Sequence, residues 1–198
     1  MSKGRIEAFS DGVLAIIITI MVLELKIPRG ADLAALPPML PVLLSYILSF
    51  AYVGIYWNNH HHLLHATRQI SGGIMWANLH LLFWLSLVPV VTGWVGEHPE
   101  ASWPTAIYGM LLLMAALAWM VLEQAIISRN GPESDLSRAV GRRVKEKLSG
   151  FLYAAAIGLA FVRPWAAQGI YALAALMWII PDRRIEARAT VDREGAAR

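Results

Sequence analysis

The chain has 198 residues, 57% of them apolar and only 16% charged, with a formal net charge of +3. A soluble domain carries about 25% charged residues, so 17 Lys and Arg with 14 Asp and Glu are too few to coat a globule of this length. The absence of cysteine excludes disulfides, thiolate metal sites and a cysteine nucleophile. The small basic excess is what cytoplasmic loops of membrane proteins supply, and no nucleic-acid partner is expected.

The charges cluster and leave long apolar runs between them. A helix needs roughly 20 such residues to cross the ~30 Å hydrocarbon layer, and six spans are predicted. The first, about 8–27, stops before Pro28, whose ring cannot continue a helix interior. The second opens in Pro37-Pro38-Met39-Leu40-Pro41, where prolines suit a first turn, and reaches Trp57. The third covers about 74–95, with Pro89 as its obvious interruption, and the fourth about 104–127. The fifth (148–162) and sixth (165–180) are short for a full crossing, and Arg163-Pro164 between them leaves room only for a tight turn. The expected fold is therefore an all-α membrane protein, with residues 1–181 as a six-helix transmembrane domain and 182–198 as a charged, flexible tail.

Lys and Arg set the orientation. Lys3, Arg5, Arg68, the basic loop after the fourth span and the arginines of the tail fall on one side, against Lys26, Arg29 and Arg163 on the other. The richer side is the cytoplasmic one, which puts both termini inside and the protein in the cell inner (plasma) membrane. A cleaved signal peptide is the competing reading of the first span. Glu7 and Asp11 interrupt its start, and no Ala-x-Ala cleavage site follows.

The first span carries the informative residues. Asp11 lies about a turn inside the bilayer, where facing lipid would cost ~2.5–3.5 kcal/mol, so it is expected to face protein or water and to have a partner. At about 100° per residue, Phe9, Gly12, Ile16, Ile20, Leu23 and Ile27 form one stripe, flanked by Val13 and Thr19. Ser10 and Asp11 point away from it. Periodicity alone fits this stripe to helix packing or lipid contact as well as to any function.

Catalytic chemistry finds little support. His60, His61, His62 and His65 cluster at the end of the second span, and His80 lies in the third. His61 and His65 share a face at a spacing used for metal ligands. A metal-dependent membrane enzyme would need further ligands from other helices, and the spans offer almost no acid besides Asp11. Ser10 and Asp11 diverge around their helix and cannot act as a nucleophile–base pair. No catalytic residue, metal or cofactor is expected. A secondary transporter would show mid-membrane charge and broken helices in inverted repeats. Neither the charge nor a repeat is visible. Trp57, Trp94, Trp103 and Trp165 sit near span ends, as interfacial anchors do.

The string Arg5-x-x-x-Phe9-Ser10-Asp11, at the start of a first membrane helix, resembles the signature of the transmembrane protein 175 family, the endosomal and lysosomal potassium channels and their prokaryotic relatives. The resemblance extends through Gly12-Val13-Leu14-Ala15-Ile16, Thr19 and Glu24 to Tyr56-Trp57-Asn58-Asn59-His60-His61 and to Asn78, Phe83, Ser86, Pro89 and Thr92. The last three spans resemble the family only in length and hydropathy. The resemblance implies a single-repeat chain that assembles as a homotetramer, with the first helix lining a central pore. It makes Ile16, Ile20 and Leu23 hydrophobic constrictions and Thr19 a polar ring between them. It also implies a network of Arg5, Phe9, Ser10 and Asp11 that ties the first helix to the next two, with Trp57, His60 or His61, and Asn78 as partners. The permeant species would be potassium, with other monovalent cations and protons compatible.

No Thr-Val-Gly-Tyr-Gly filter is present, and Thr92-Gly93-Trp94-Val95-Gly96 only superficially resembles one. Selectivity is then expected from pore size, hydroxyls and field. Glu24, Asp32, Glu97 and Glu100 against Lys26, Arg29 and Arg163 would mildly favour cations at the outer mouth.

Overall fold

A computed structural model describes residues 3–28, 30–65, 67, 69–130 and 144–179. The tail expected at 182–198 lies outside the described residues, as do Ile180, Arg29, Arg68, Arg138, Arg142 and Arg143. The described residues are helical throughout their ordered elements. The helices are α1 (Lys3–Leu23), α2 (Leu40–His65), α3 (Gly72–Ser86), α4 (Val88–Glu97), α5 (Ser102–Asn130), α6 (Val144–Ala160) and α7 (Pro164–Ile179). Because α3 and α4 follow one another as a single broken rod, the seven helices of the described residues make six helical segments. Four passes are long and apolar enough to cross a bilayer: α1, α2 with the turns before it, α3 with α4, and α5. With 17 and 16 residues, α6 and α7 form the short hairpin that Arg163-Pro164 requires.

Helix ends depart from the sequence expectation for identifiable reasons. The first helix starts at Lys3 and stops at Leu23, so Ile27 lies beyond it and leaves the stripe. Pro28 disfavours the helical conformation at Ile27, and Lys26 is drawn into an ion pair with Glu97. The prolines before α2 form a 3₁₀ turn, Pro37–Met39, and the helix then runs past Trp57 through the histidines to His65. The third span is not one helix but two. Pro89 has no N–H to give to the preceding turn, so the chain tightens at Leu87, whose N–H donates to Trp84 O (3.2 Å). Helical bonding resumes with Val91 N–H to Leu87 O.

The core runs through the bundle. Leu14, Ile17 and Met21 of α1 meet Val53 and Leu64 of α2, Ile74, Leu81 and Leu85 of α3, and Leu111 and Leu122 of α5. In the second half small residues dominate: Ala115 and Ala118 of α5, Ala156 and Ala160 of α6, and Ala167, Ala174 and Ala175 of α7 are all buried. Small side chains let backbones approach closely, which is how helices associate where lipid offers no hydrophobic drive.

Polar side chains inside the bundle bond to one another, as the bilayer demands. Tyr52 donates to Tyr171 O (2.6 Å), Tyr153 to Tyr52 (3.3 Å), and Tyr171 to Thr105 O (3.2 Å). Ser49 lies 2.9 Å from the Tyr108 hydroxyl and 2.6 Å from that of Thr92. All but the Tyr171–Thr105 bond involve a residue of α2, which they tie to α4, α5, α6 and α7.

Two glycines mark the tightest approaches. A Cβ on Gly109 would lie 2.0 Å from the Tyr171 hydroxyl and 2.9 Å from Ile157 Cγ1, and one on Gly96 would lie 2.9 Å from the Val42 backbone. Gly109→Ala is expected to lose about 1–3 kcal/mol by overpacking, read as a lower melting temperature in detergent. Gly54→Ala, with nothing within 4 Å of the added carbon, should melt no lower than wild type, because Ala is the better helix former.

Candidate pore helix and its buried brace

Both sides of α1 are apolar, so hydropathy does not say which side faces its own chain. Polar contacts do. Ile6, Ser10, Leu14, Ile17 and Met21 are buried, at the spacing of one helical face. The other side stands free: Phe9, Gly12, Ile16, Thr19, Ile20 and Leu23 are all exposed, and Val13 is half-buried. Ile16 is 59% and Leu23 76% exposed. Among the described residues none covers this stripe.

Ser10 fixes that choice. It is fully buried, and its hydroxyl donates to Ile6 O (2.8 Å). Its oxygen accepts from Asn78 Nδ2 (2.9 Å), and Asn78 Oδ1 accepts from His60 Nε2 (2.6 Å). Asn78 and His60 are buried as well. One amide thus joins α1, α3 and α2, and turning α1 about its axis would take from the buried Asn78 Nδ2 donor the acceptor it has on Ser10.

Asp11, the next residue, points elsewhere. It is exposed, and its Oδ1 accepts from Trp57 Nε1 of α2 (3.1 Å). The two adjacent residues therefore bind different helices. Arg5 and Phe9 are exposed and share in neither set of bonds. His61 also stays outside the brace: its ring lies 5.7 Å from that of His62 and 6.1 Å from that of His65, all three exposed at the end of α2. No group of three or more ligating side chains among the described residues is placed to hold a metal.

Both ends of α1 are tied down too. Lys3 Nζ donates to His65 O (2.5 Å), a cation on the carbonyl end of α2. At the far end Lys26 pairs with Glu97 at the end of α4, so those two charges largely cancel and leave Glu24, Asp32 and Glu100 as the acids of that face. Midway along the exposed stripe, the Thr19 hydroxyl donates to Ala15 O (2.9 Å). Its oxygen lone pairs are left facing outward.

Sequence reasoning missed the hydroxyl bonds of α2. Ser45, Ser49, Tyr52, Tyr56 and His60 recur at steps of three and four along that helix, and this polar stripe was the available signal. Thr92-Gly93-Trp94-Val95-Gly96 lies inside α4, where its backbone is helical and Trp94 O accepts from His98 N–H, Thr92 meets Ser49, and Gly96 packs on α2.

Comparison with known proteins gives concordant matches. Residues 5–89 match the family described as endosomal/lysosomal potassium channel TMEM175. A protein of Chryseobacterium named a potassium channel is 55% identical over 94% of this chain and 97% of its own length. Another from Streptomyces collinus, also named a potassium channel, is 33% identical over 86% of this chain and 90% of its own. The human endosomal/lysosomal proton channel TMEM175 is 39% identical over 36% of this chain and 17% of its own length. The crystal structure of a lysosomal potassium-selective channel TMEM175 homolog from Chamaesiphon minutus superposes with a TM-score of 0.77 at 28% identity, covering 89% of this chain and 96% of that one.

Removing the central amide tests the brace. Asn78→Ala strands the buried His60 ring nitrogen and removes the bond that Ser10 accepts, and a stranded buried group costs about 1–3 kcal/mol, so the melting temperature should fall. Ser10→Ala added to Asn78→Ala should cost clearly less than the two changes summed. Strict additivity in that cycle would mean the bond contributes nothing.

Proposed function

The chain belongs to the TMEM175 family of potassium channels, and on that footing we propose that four copies surround a central pore, lined by α1, that conducts potassium ions. The observation that carries this reading is the exposed stripe of Gly12, Ile16, Thr19, Ile20 and Leu23 on a helix whose opposite face is fixed by buried hydrogen bonds. A helix that shows its own chain one face and leaves a second, continuous apolar face open is suited to meeting copies of itself around an axis.

The chemistry of the stripe fits a leak-type pore without a carbonyl filter. Rings of Ile16, Ile20 and Leu23 would close a narrow tube by dewetting. A ring of Thr19 oxygens, their protons given to Ala15 O, would offer a cation partial replacement for lost water. At the outer mouth the remaining acids Glu24, Asp32 and Glu100, against Arg29 and Arg163, mildly favour cations over anions. Lys and Arg distribution supports cytoplasmic termini and a place in the plasma membrane. Other monovalent cations would pass less readily than potassium. The match to a human relative named a proton channel supports proton permeation along the same route as a second reading.

Purified protein in liposomes should pass potassium, with reversal potentials under bi-ionic conditions favouring potassium over sodium moderately. Leu23→Ala and Ile16→Asn, which widen or wet the constrictions, should raise the flux severalfold. A preference for chloride, or unchanged flux in both variants, would contradict the proposed pore.

A further inference from the structure

Two polar side chains within the membrane helices, Asp11 and His80, are exposed on the protomer at matching depth. The Asn78–Ser10 bond sets α1 and α3 in register, and both helices set out from the same face of the bundle. Asp11 lies one residue beyond Ser10 and His80 two beyond Asn78, so their depths differ by only about 1.5 Å. Each is about 12 Å along its helix from the first residue. Both are exposed on the protomer.

Each also has one unused hydrogen-bonding position among the described residues. His80 Nε2 accepts from Trp84 Nε1 (2.9 Å), so the neutral ring carries its proton on Nδ1, as a free donor. Asp11 Oδ1 accepts from Trp57, which leaves Oδ2 as a free acceptor. Against lipid, a donor or acceptor without a partner costs several kcal/mol. Arg5, the cation nearest Asp11 along α1, starts about 9 Å closer to the end of the helix, on a different side.

The surroundings are complementary in size. On α3, Trp76, Leu79, His80 and Phe83 form one exposed face, with Trp76 75% exposed. On α1, Asp11 is flanked by Ala8 and Ala15, both exposed. Because α1 and α3 run parallel, an Asp11–His80 contact would set Phe83 opposite Ala15 and Trp76 opposite Ala8. Large rings would then fill the hollows that alanines leave.

We propose that His80 of one copy donates to Asp11 of the neighbouring copy, with Phe83 and Trp76 seated over its Ala15 and Ala8. A ring of copies needs such a head-to-tail interface, in which each chain presents two different faces. This inference rests on the assembly proposed above and adds to it the surface that holds the ring together. The first helix then has three duties around its circumference: Ser10 toward its own chain, Ile16 and Leu23 toward the axis, and Asp11 toward the next copy.

The chain has no cysteine, so introduced thiols report cleanly. Protein carrying both Ala15→Cys and Phe83→Cys, treated in membranes with a short bismaleimide, should run as dimers, trimers and tetramers on a denaturing gel. Either single variant should stay monomeric. Leu23→Cys, on the stripe, serves as a separate probe of the shared axis. Cross-linking through Leu23→Cys but not through the 15/83 pair would overturn the interface and leave the pore standing; monomers from every variant would overturn the assembly itself. His80→Leu gives an independent sign. It should reduce the tetramer band on a native gel if His80 bonds a neighbour, and a band as strong as wild type or stronger would place His80 against lipid and end the proposal.

Discussion

The Asn78 amide sits where three helices meet, giving a proton to Ser10 and taking one from His60. In water such an arrangement would contribute modestly, since each group could turn to solvent instead. Inside a bilayer it has no alternative partner, and rotation of α1 is fixed by the requirement that the Asn78 Nδ2 donor keep its acceptor on Ser10. Which apolar face of α1 points inward and which stands open follows from that one requirement. A helix whose two sides are equally apolar would otherwise have no preferred rotation, so a serine in place of an aliphatic residue determines which surface stands open.

The remaining architecture supports this setting. α2 carries Trp57, which bonds Asp11 of α1, and His60, which reaches α1 only through Asn78 of α3, and is itself anchored through Ser49 and Tyr52 to four other helices. The second half of the chain packs through alanines and closes around tyrosine hydroxyls. These later helices contribute no residue to the exposed stripe of α1 and act as its scaffold. The division agrees with the range of the family match, which ends at residue 89.

Much of this was legible in the sequence, because membrane spans announce themselves by length and hydropathy, and Pro28 and Pro89 mark real interruptions. The stripe on the first helix emerged from helical geometry alone up to Leu23. Other features depend on tertiary context that no local pattern carries. Ile27 fell out of the stripe because Lys26 turns toward Glu97 in a distant helix. His60 and His61 are neighbours of identical chemistry, and only the rotation of α2, set by Ser45, Ser49 and Tyr52 on its buried face, decides that His60 meets Asn78. Ser10 and Asp11 look like one polar site in sequence, yet they lie about 100° apart on the helix and bind α3 and α2 respectively.

The central claim, that the open face of α1 lines the ion pathway, is tested most directly by placing single cysteines along that helix and following potassium flux in liposomes while a small charged thiol reagent is added. The account predicts that flux changes on modification at residues 12, 16, 19 and 23 and not at 14, 17 and 21, a pattern with the period of the helix. Flux that responds at the second set, or at neither, would contradict it.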